Sequence, residues 1–137
     1  MMKIQKVCPV IIRQNGSRKE ILVFRHPAGD IQIVKGTVEA NEDLQIATLR
    51  ELKEESGIEK VSNIEPKGIW VTGYDNQIWH FYLCSVEEKL PKTWTYFAND
   101  DGGLDFSFFW FDLSENPSDE WHLIFQAALV FIKTHSF

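Results

Sequence analysis

Residues 36 to 58 read Gly36-Thr37-Val38-Glu39-Ala40-Asn41-Glu42-Asp43-Leu44-Gln45-Ile46-Ala47-Thr48-Leu49-Arg50-Glu51-Leu52-Lys53-Glu54-Glu55-Ser56-Gly57-Ile58. The second half has the spacing of a helix, with Leu44, Ala47, Thr48 and Leu52 as an inward stripe and Gly57 as a left-handed stop. Asn41 is a suitable cap, and Glu42 and Asp43 suit the positive end of the helix dipole, so the helix is expected to start near Asn41. Residues three and four apart on a helix are neighbours, so Glu51, Glu54 and Glu55 fall in one small patch directly after Arg50. Like charges at that spacing repel unless something positive sits among them. Carboxylate oxygens are what a hard divalent cation such as Mg²⁺ or Mn²⁺ accepts, and such a cation pairs naturally with a polyphosphate. A Glu-Leu-Lys-Glu-Glu run alone is more often a solvated helix face. The flanking Gly36, Glu42 and Gly57 favour a metal site instead.

The stretch resembles the Nudix box, Gly-x5-Glu-x7-Arg-Glu-U-x-Glu-Glu-x-Gly-U with U aliphatic. Gly36, Glu42, Arg50, Glu51, Leu52, Glu54, Glu55, Gly57 and Ile58 match every defined position. The resemblance implies an α/β/α sandwich of α+β class around a mixed, mostly antiparallel central sheet. It implies a divalent-metal-dependent hydrolase that cleaves the pyrophosphate of a nucleoside diphosphate linked to some moiety X. Glu51, Glu54 and Glu55 are then metal ligands, with the Gly36 carbonyl beside them. Glu51 is ligand or base, and Arg50 orients the carboxylates. A fourth acidic ligand often comes from a later segment in this family. Asp105 is the first choice, Asp101 the second and Glu87 the third, and Glu39 is a candidate outer ligand.

The start of the box, Lys35-Gly36-Thr37-Val38-Glu39, is similar to that of diadenosine-polyphosphate hydrolases, which makes dinucleoside polyphosphates the first substrate class. Nucleoside triphosphates, ADP-ribose and nucleotide sugars are the alternatives, and a nucleotide-sensing module that does not cut is the non-enzymatic one. Lys35 is a candidate phosphate contact. Trp94 and Tyr96, expected in a loop, are candidates for stacking on a base.

The 137 residues are enough for one domain with a proper core, and 44% hydrophobic with 25% charged residues is ordinary for a globular chain. A net charge of −6 argues against a nucleic-acid surface but not against a nucleotide, since a bound cation inverts the local field. The longest apolar stretch, Ala127 to Ile132, is too short to span a bilayer, and the start lacks a signal peptide's apolar core. A cytoplasmic monomer or homodimer is expected. Cys8 and Cys84 are expected as buried free thiols, and the four histidines as structural.

Strands are expected at Val7 to Ile12 and Ile21 to Phe24 around an Asn15-Gly16 hairpin turn, and at Ile31 to Val34. Others are expected at Gly68 to Thr72, Trp79 to Ser85 and Phe106 to Asp112. Pro117-Ser118-Asp119-Glu120 should open a second helix with Trp121, Ile124, Phe125, Ala128, Leu129 and Ile132 as its core stripe.

Overall fold

The computed structural model describes residues 2–99 and 102–137. In chain order the elements are β1 (Ile4–Val10), β2 (Ile12–Asn15), β3 (Arg18–Arg25), β4 (Ile31–Gln32), β5 (Gly36–Thr37) and α1 (Leu44–Ser56). They continue with β6 (Asn63–Val71), β7 (Gln77–Ser85), β8 (Trp94–Ala98), β9 (Leu104–Asp112) and α2 (Leu123–Thr134).

The strands form a mixed, mostly antiparallel arrangement, divided into two sheets rather than one. One sheet runs β5-β1-β7-β6, and its β1–β7 pair is parallel, with Cys8 opposite Phe81. The other runs β2-β3-β9-β8, with β4 also on β3. The break between β1 and β2 falls at Ile11, whose carbonyl accepts from the Leu22 amide at 2.9 Å. Beyond it, β2 and β3 form a hairpin over Gly16 and Ser17, but of the strand expected at Val7 to Ile12 only Ile12 lies in the ladder with β3, because Val7 to Val10 lie in β1 and pair with β7 instead.

Both faces of the central strands are covered. Ile21, Leu22, Val23 and Phe24 are all buried, and alternate residues belong to different cores. Ile21 and Val23 join Cys8, Val10, Trp79 and Phe81 beneath Phe125, Ala128, Leu129 and Ile132 of α2. Leu22 and Phe24 join Val7, Tyr82 and Cys84 beneath Ala47 and Leu52 of α1. A strand buried on both sides reads as a continuous apolar run, which is why Ile21 to Phe24 shows no alternation. The result is the sandwich of helix, strands and helix that the sequence implies. Both cysteines are buried and free. Among the described residues no helix is long and apolar enough to cross a membrane.

Three expectations are corrected. Helix α1 is capped by Asp43, whose carboxylate accepts from the amides of Gln45 (2.9 Å) and Ile46 (3.2 Å). Asn41 instead takes a left-handed φ of 62° in the approach to that cap. Trp94 to Phe97 is not a loop but most of strand β8, paired with β9 and facing Trp94, Tyr96 and Ala98 towards the α1 core. Helix α2 starts at Leu123 behind a His122 cap, later than Pro117, because Trp121 is drawn into a β-bridge with Ile31.

Candidate active site

Strand β5 and helix α1 build the site between them. The short β5 is held against β1 by the Lys6–Thr37 and Val7–Gly36 pairs, which fixes the loop that precedes the helix. Arg50, at the middle of α1, ties that loop to the helix. Its Nε and Nη2 donate to the two oxygens of Glu42 at 2.7 and 2.8 Å, a fork-on-carboxylate contact. Nη2 also donates to the Thr37 carbonyl at 3.0 Å, and Nη1 to Glu51 at 2.8 Å and Glu54 at 3.2 Å. Glu39 is 3.8 Å away. One guanidinium therefore faces four carboxylates, and this excess of negative charge is what a divalent cation would balance.

The pairing sets the charge states. Hydrogen bonds from Arg50 and from the Glu39 amide hold the Glu42 carboxyl down at about 2, well below its ordinary 4.5. The bond to Glu42 first, and those to Glu51 next, push Arg50 above its ordinary value. Glu42 is thus fixed as an anion whose work is to hold Arg50, although it lies before the helix cap and not on the helix as its spacing suggested.

Gly36 leaves room for the Glu51 carboxylate. A Cβ at this position would lie 1.8 Å from the Glu51 carboxyl carbon and 2.0 and 2.3 Å from its oxygens. The absent side chain lets the Glu51 carboxylate, on a residue only 8% exposed, lie directly against the β5 backbone. At the other end of α1, Gly57 has a φ of 80°, and a Cβ there would meet the Tyr96 ring at 2.6 Å. Tyr96 thus braces the end of the helix that carries Glu54 and Glu55.

These residues line an open cavity of about 890 Å³. Its walls include Gly36, Glu39, Arg50, Glu51, Glu54 and Glu55, and also Lys6, Lys35, Lys53 and Tyr96. As the side chains stand, no three Asp, Glu, His or Cys groups among the described residues converge closely enough to ligate one ion. Arg50 holds Glu51 and Glu54 through one oxygen each. A carboxylate offers about four lone-pair sites, so that contact does not exhaust either group. Glu51, Glu54 and Glu55 nevertheless line the same cavity, and such an all-oxygen donor set suits a hard divalent cation.

The sequence candidates divide accordingly. Gly36, Arg50, Glu51, Glu54, Glu55, Lys35 and Tyr96 share the cavity. Lys35, however, does not simply face a phosphate. Its ammonium lies 5.2 Å from the Trp79 ring centroid and 5.4 Å from that of Phe125, within reach of cation–π attraction. Trp94 is outside the cavity, because its indole N–H donates to the Ser56 carbonyl at 3.1 Å and its ring stacks on Phe108. Asp105 is exposed on β9 opposite Phe97 and does not line the cavity, nor does Glu87. Asp101 lies outside the described residues. The residues missed were Lys6, Thr37 and Lys53. Only the pairing of β1 with β5, which no local pattern announces, brings Lys6 to the site.

The histidines take other work. His26 and His122 accept backbone amides through Nδ1, and His135 stacks on Phe131. His80 lies 2.7 Å from Gln5 Oε1, and burial lowers its pKa.

A family model described as NUDIX domain matches residues 4–129. The chain belongs to the Nudix family. Among solved structures, the fold is similar to the MutT NUDIX hydrolase from Burkholderia pseudomallei, with a TM-score of 0.68 and 18% identity over 95% of this chain and 98% of that one. An ADP-ribose pyrophosphatase from Streptococcus suis is similar with a TM-score of 0.62 and 17% identity over 98% and 94%. A MutT/nudix family protein from Enterococcus faecalis has a TM-score of 0.62 and 23% identity over 82% of this chain, which spans only 44% of its length. At such identities these likenesses show the fold alone. No curated protein matches the chain. Family membership makes this a Nudix hydrolase, of a class that in general uses divalent metals.

Proposed function

We propose that this Nudix hydrolase cleaves a phosphoanhydride bond in nucleoside diphosphates linked to a second moiety, with dinucleoside polyphosphates as the favoured class. One observation carries it: a single arginine gathers Glu51 and Glu54 in an open cavity, with the Glu51 carboxylate lying against Gly36. Glu51, Glu54, Glu55 and the Gly36 carbonyl would hold the divalent cation, Mg²⁺ in the first instance with Mn²⁺ as a substitute. When bound, the cation neutralises phosphate oxygens and acidifies water.

The chain's own groups do the rest. Arg50 keeps Glu51 and Glu54 oriented towards the cavity. Water attacks phosphorus as the bridging P–O bond breaks, and its proton passes to a carboxylate of the cluster. Glu54, with a side chain 56% exposed, is the more accessible acceptor, and the buried Glu51 is the alternative. Lysines on the same walls offset the charge of a phosphate chain.

The similarity of Lys35 to Glu39 supports dinucleoside polyphosphates. The fold it shares with the Streptococcus suis ADP-ribose pyrophosphatase supplies the class to test against. A panel of diadenosine polyphosphates, nucleoside triphosphates, ADP-ribose and NADH, assayed with Mg²⁺, decides between them. Fastest cleavage of diadenosine tetraphosphate is expected. Triphosphates or ADP-ribose cut at least as well would overturn the substrate class, and no cleavage of any member would overturn the proposed activity.

A further inference from the structure

Among the described residues four cations line the cavity, and they are not equivalent. Arg50 is committed to carboxylates and to the Thr37 carbonyl. Lys53 pairs with Glu59 at 3.5 Å, and the Lys35 ammonium lies over two aromatic rings. Lys6 differs. Its ammonium donates to the Thr37 hydroxyl at 2.6 Å, and among the described residues it has no ion pair with a carboxylate.

We propose that Lys6 and Thr37 form a phosphate grip that holds the polyphosphate chain of the substrate beyond the phosphate at the carboxylate cluster. The inference rests on the hydrolase reading above and deepens it by naming the part of the substrate that is held. Thr37 is locked at both ends: β5 pairs it with Lys6, and Arg50 binds its carbonyl from the side of the acidic cluster. Its hydroxyl accepts from Lys6, so its own O–H proton remains to be donated. An ammonium with two further N–H groups and an adjacent hydroxyl is a compact donor set for phosphate oxygens. It is anchored to the same segment that places the Glu51 carboxylate. The fixed spacing between grip and cluster makes the site sensitive to the number of phosphates.

Calorimetric binding of inorganic tripolyphosphate and orthophosphate in Mg²⁺ tests this without requiring turnover. Loss of a charge-assisted hydrogen bond to phosphate is worth about tenfold or more in affinity. Lys6→Met should therefore weaken tripolyphosphate by about tenfold and orthophosphate by less. Its tripolyphosphate affinity should also fall less steeply with KCl than the wild type's. Lys6→Arg, which keeps the charge, should bind within about threefold of wild type, and Thr37→Val should fall between the two. A merely structural Lys6 would shift the melting temperature while leaving the salt dependence of tripolyphosphate binding alone. Wild-type affinity and salt dependence in Lys6→Met would overturn the inference while leaving the hydrolase proposal standing. Absence of turnover would overturn the latter, and the binding data would still judge Lys6.

Discussion

Replacing Arg50 by lysine keeps the charge and removes the geometry. A lysine cannot span the two Glu42 oxygens and the Thr37 carbonyl while also reaching Glu51, because its ammonium is one point at the end of a flexible stem. The pairs with Glu42 and Glu51 join side chains that are at most 23% exposed, so solvent screens them little. Hydrogen bonds to charged partners there contribute about 1.5–3 kcal/mol each, whereas the exposed pair with Glu54 contributes about 0–1 kcal/mol. With one strong contact retained by lysine, the expected loss is about 2–3 kcal/mol. At roughly 3–4 °C per kcal/mol for a chain this size, the melting temperature should fall by roughly 6–12 °C. Thermal unfolding of the wild type, Arg50→Lys, Glu42→Gln and the double variant closes a cycle. The coupling between the two positions should be about 1.5 kcal/mol or more. A coupling below about 0.5 kcal/mol, or a melting temperature within about 2 °C of wild type, would refute the hub.

Further expectations follow from the same geometry. Gly36→Ala places a methyl on the Glu51 carboxylate and should reduce turnover by about a hundredfold, measured beside a circular-dichroism spectrum showing the fold retained. Glu42 is held low in the folded chain, so its stabilisation is fully present above its ordinary 4.5 and is lost as pH falls towards about 2. Acid unfolding should therefore steepen across that window in the wild type and be shallower in Glu42→Gln. Burial pushes the Cys84 thiol up to about 12 and raises Cys8 too, so neither should react with a thiol reagent at pH 8 until denaturant is added. Asp105→Asn should leave the Mg²⁺ titration of activity within about twofold, because Asp105 lies off the cavity. A larger shift would return it to the metal shell.

The box was legible because helical spacing and one glycine constrain it tightly. Glu51, Glu54 and Glu55 had to share a face, and Gly36 stands at a fixed position of the box. The start of the helix falls two residues later than Asn41 because Asp43 accepts the Gln45 and Ile46 amides while Asn41 takes a left-handed φ before it. Trp94 to Ala98 carried a strand signal, with alternate residues facing the core, that the preceding Pro91 obscured. Lys35 could not be placed from sequence because its ammonium is held by Trp79 and Phe125, distant in the chain. Lys6 reaches the site only through strand pairing, and such long-range pairing leaves no mark in a local pattern.

The central claim is that the α1 carboxylates beside Gly36 bind a divalent cation, and direct Mn²⁺ binding followed by electron paramagnetic resonance tests it. Wild type should bind Mn²⁺, and Glu54→Gln and Glu55→Gln should each bind it at least about tenfold more weakly while melting cooperatively. Equal Mn²⁺ affinity in all three proteins would contradict the account.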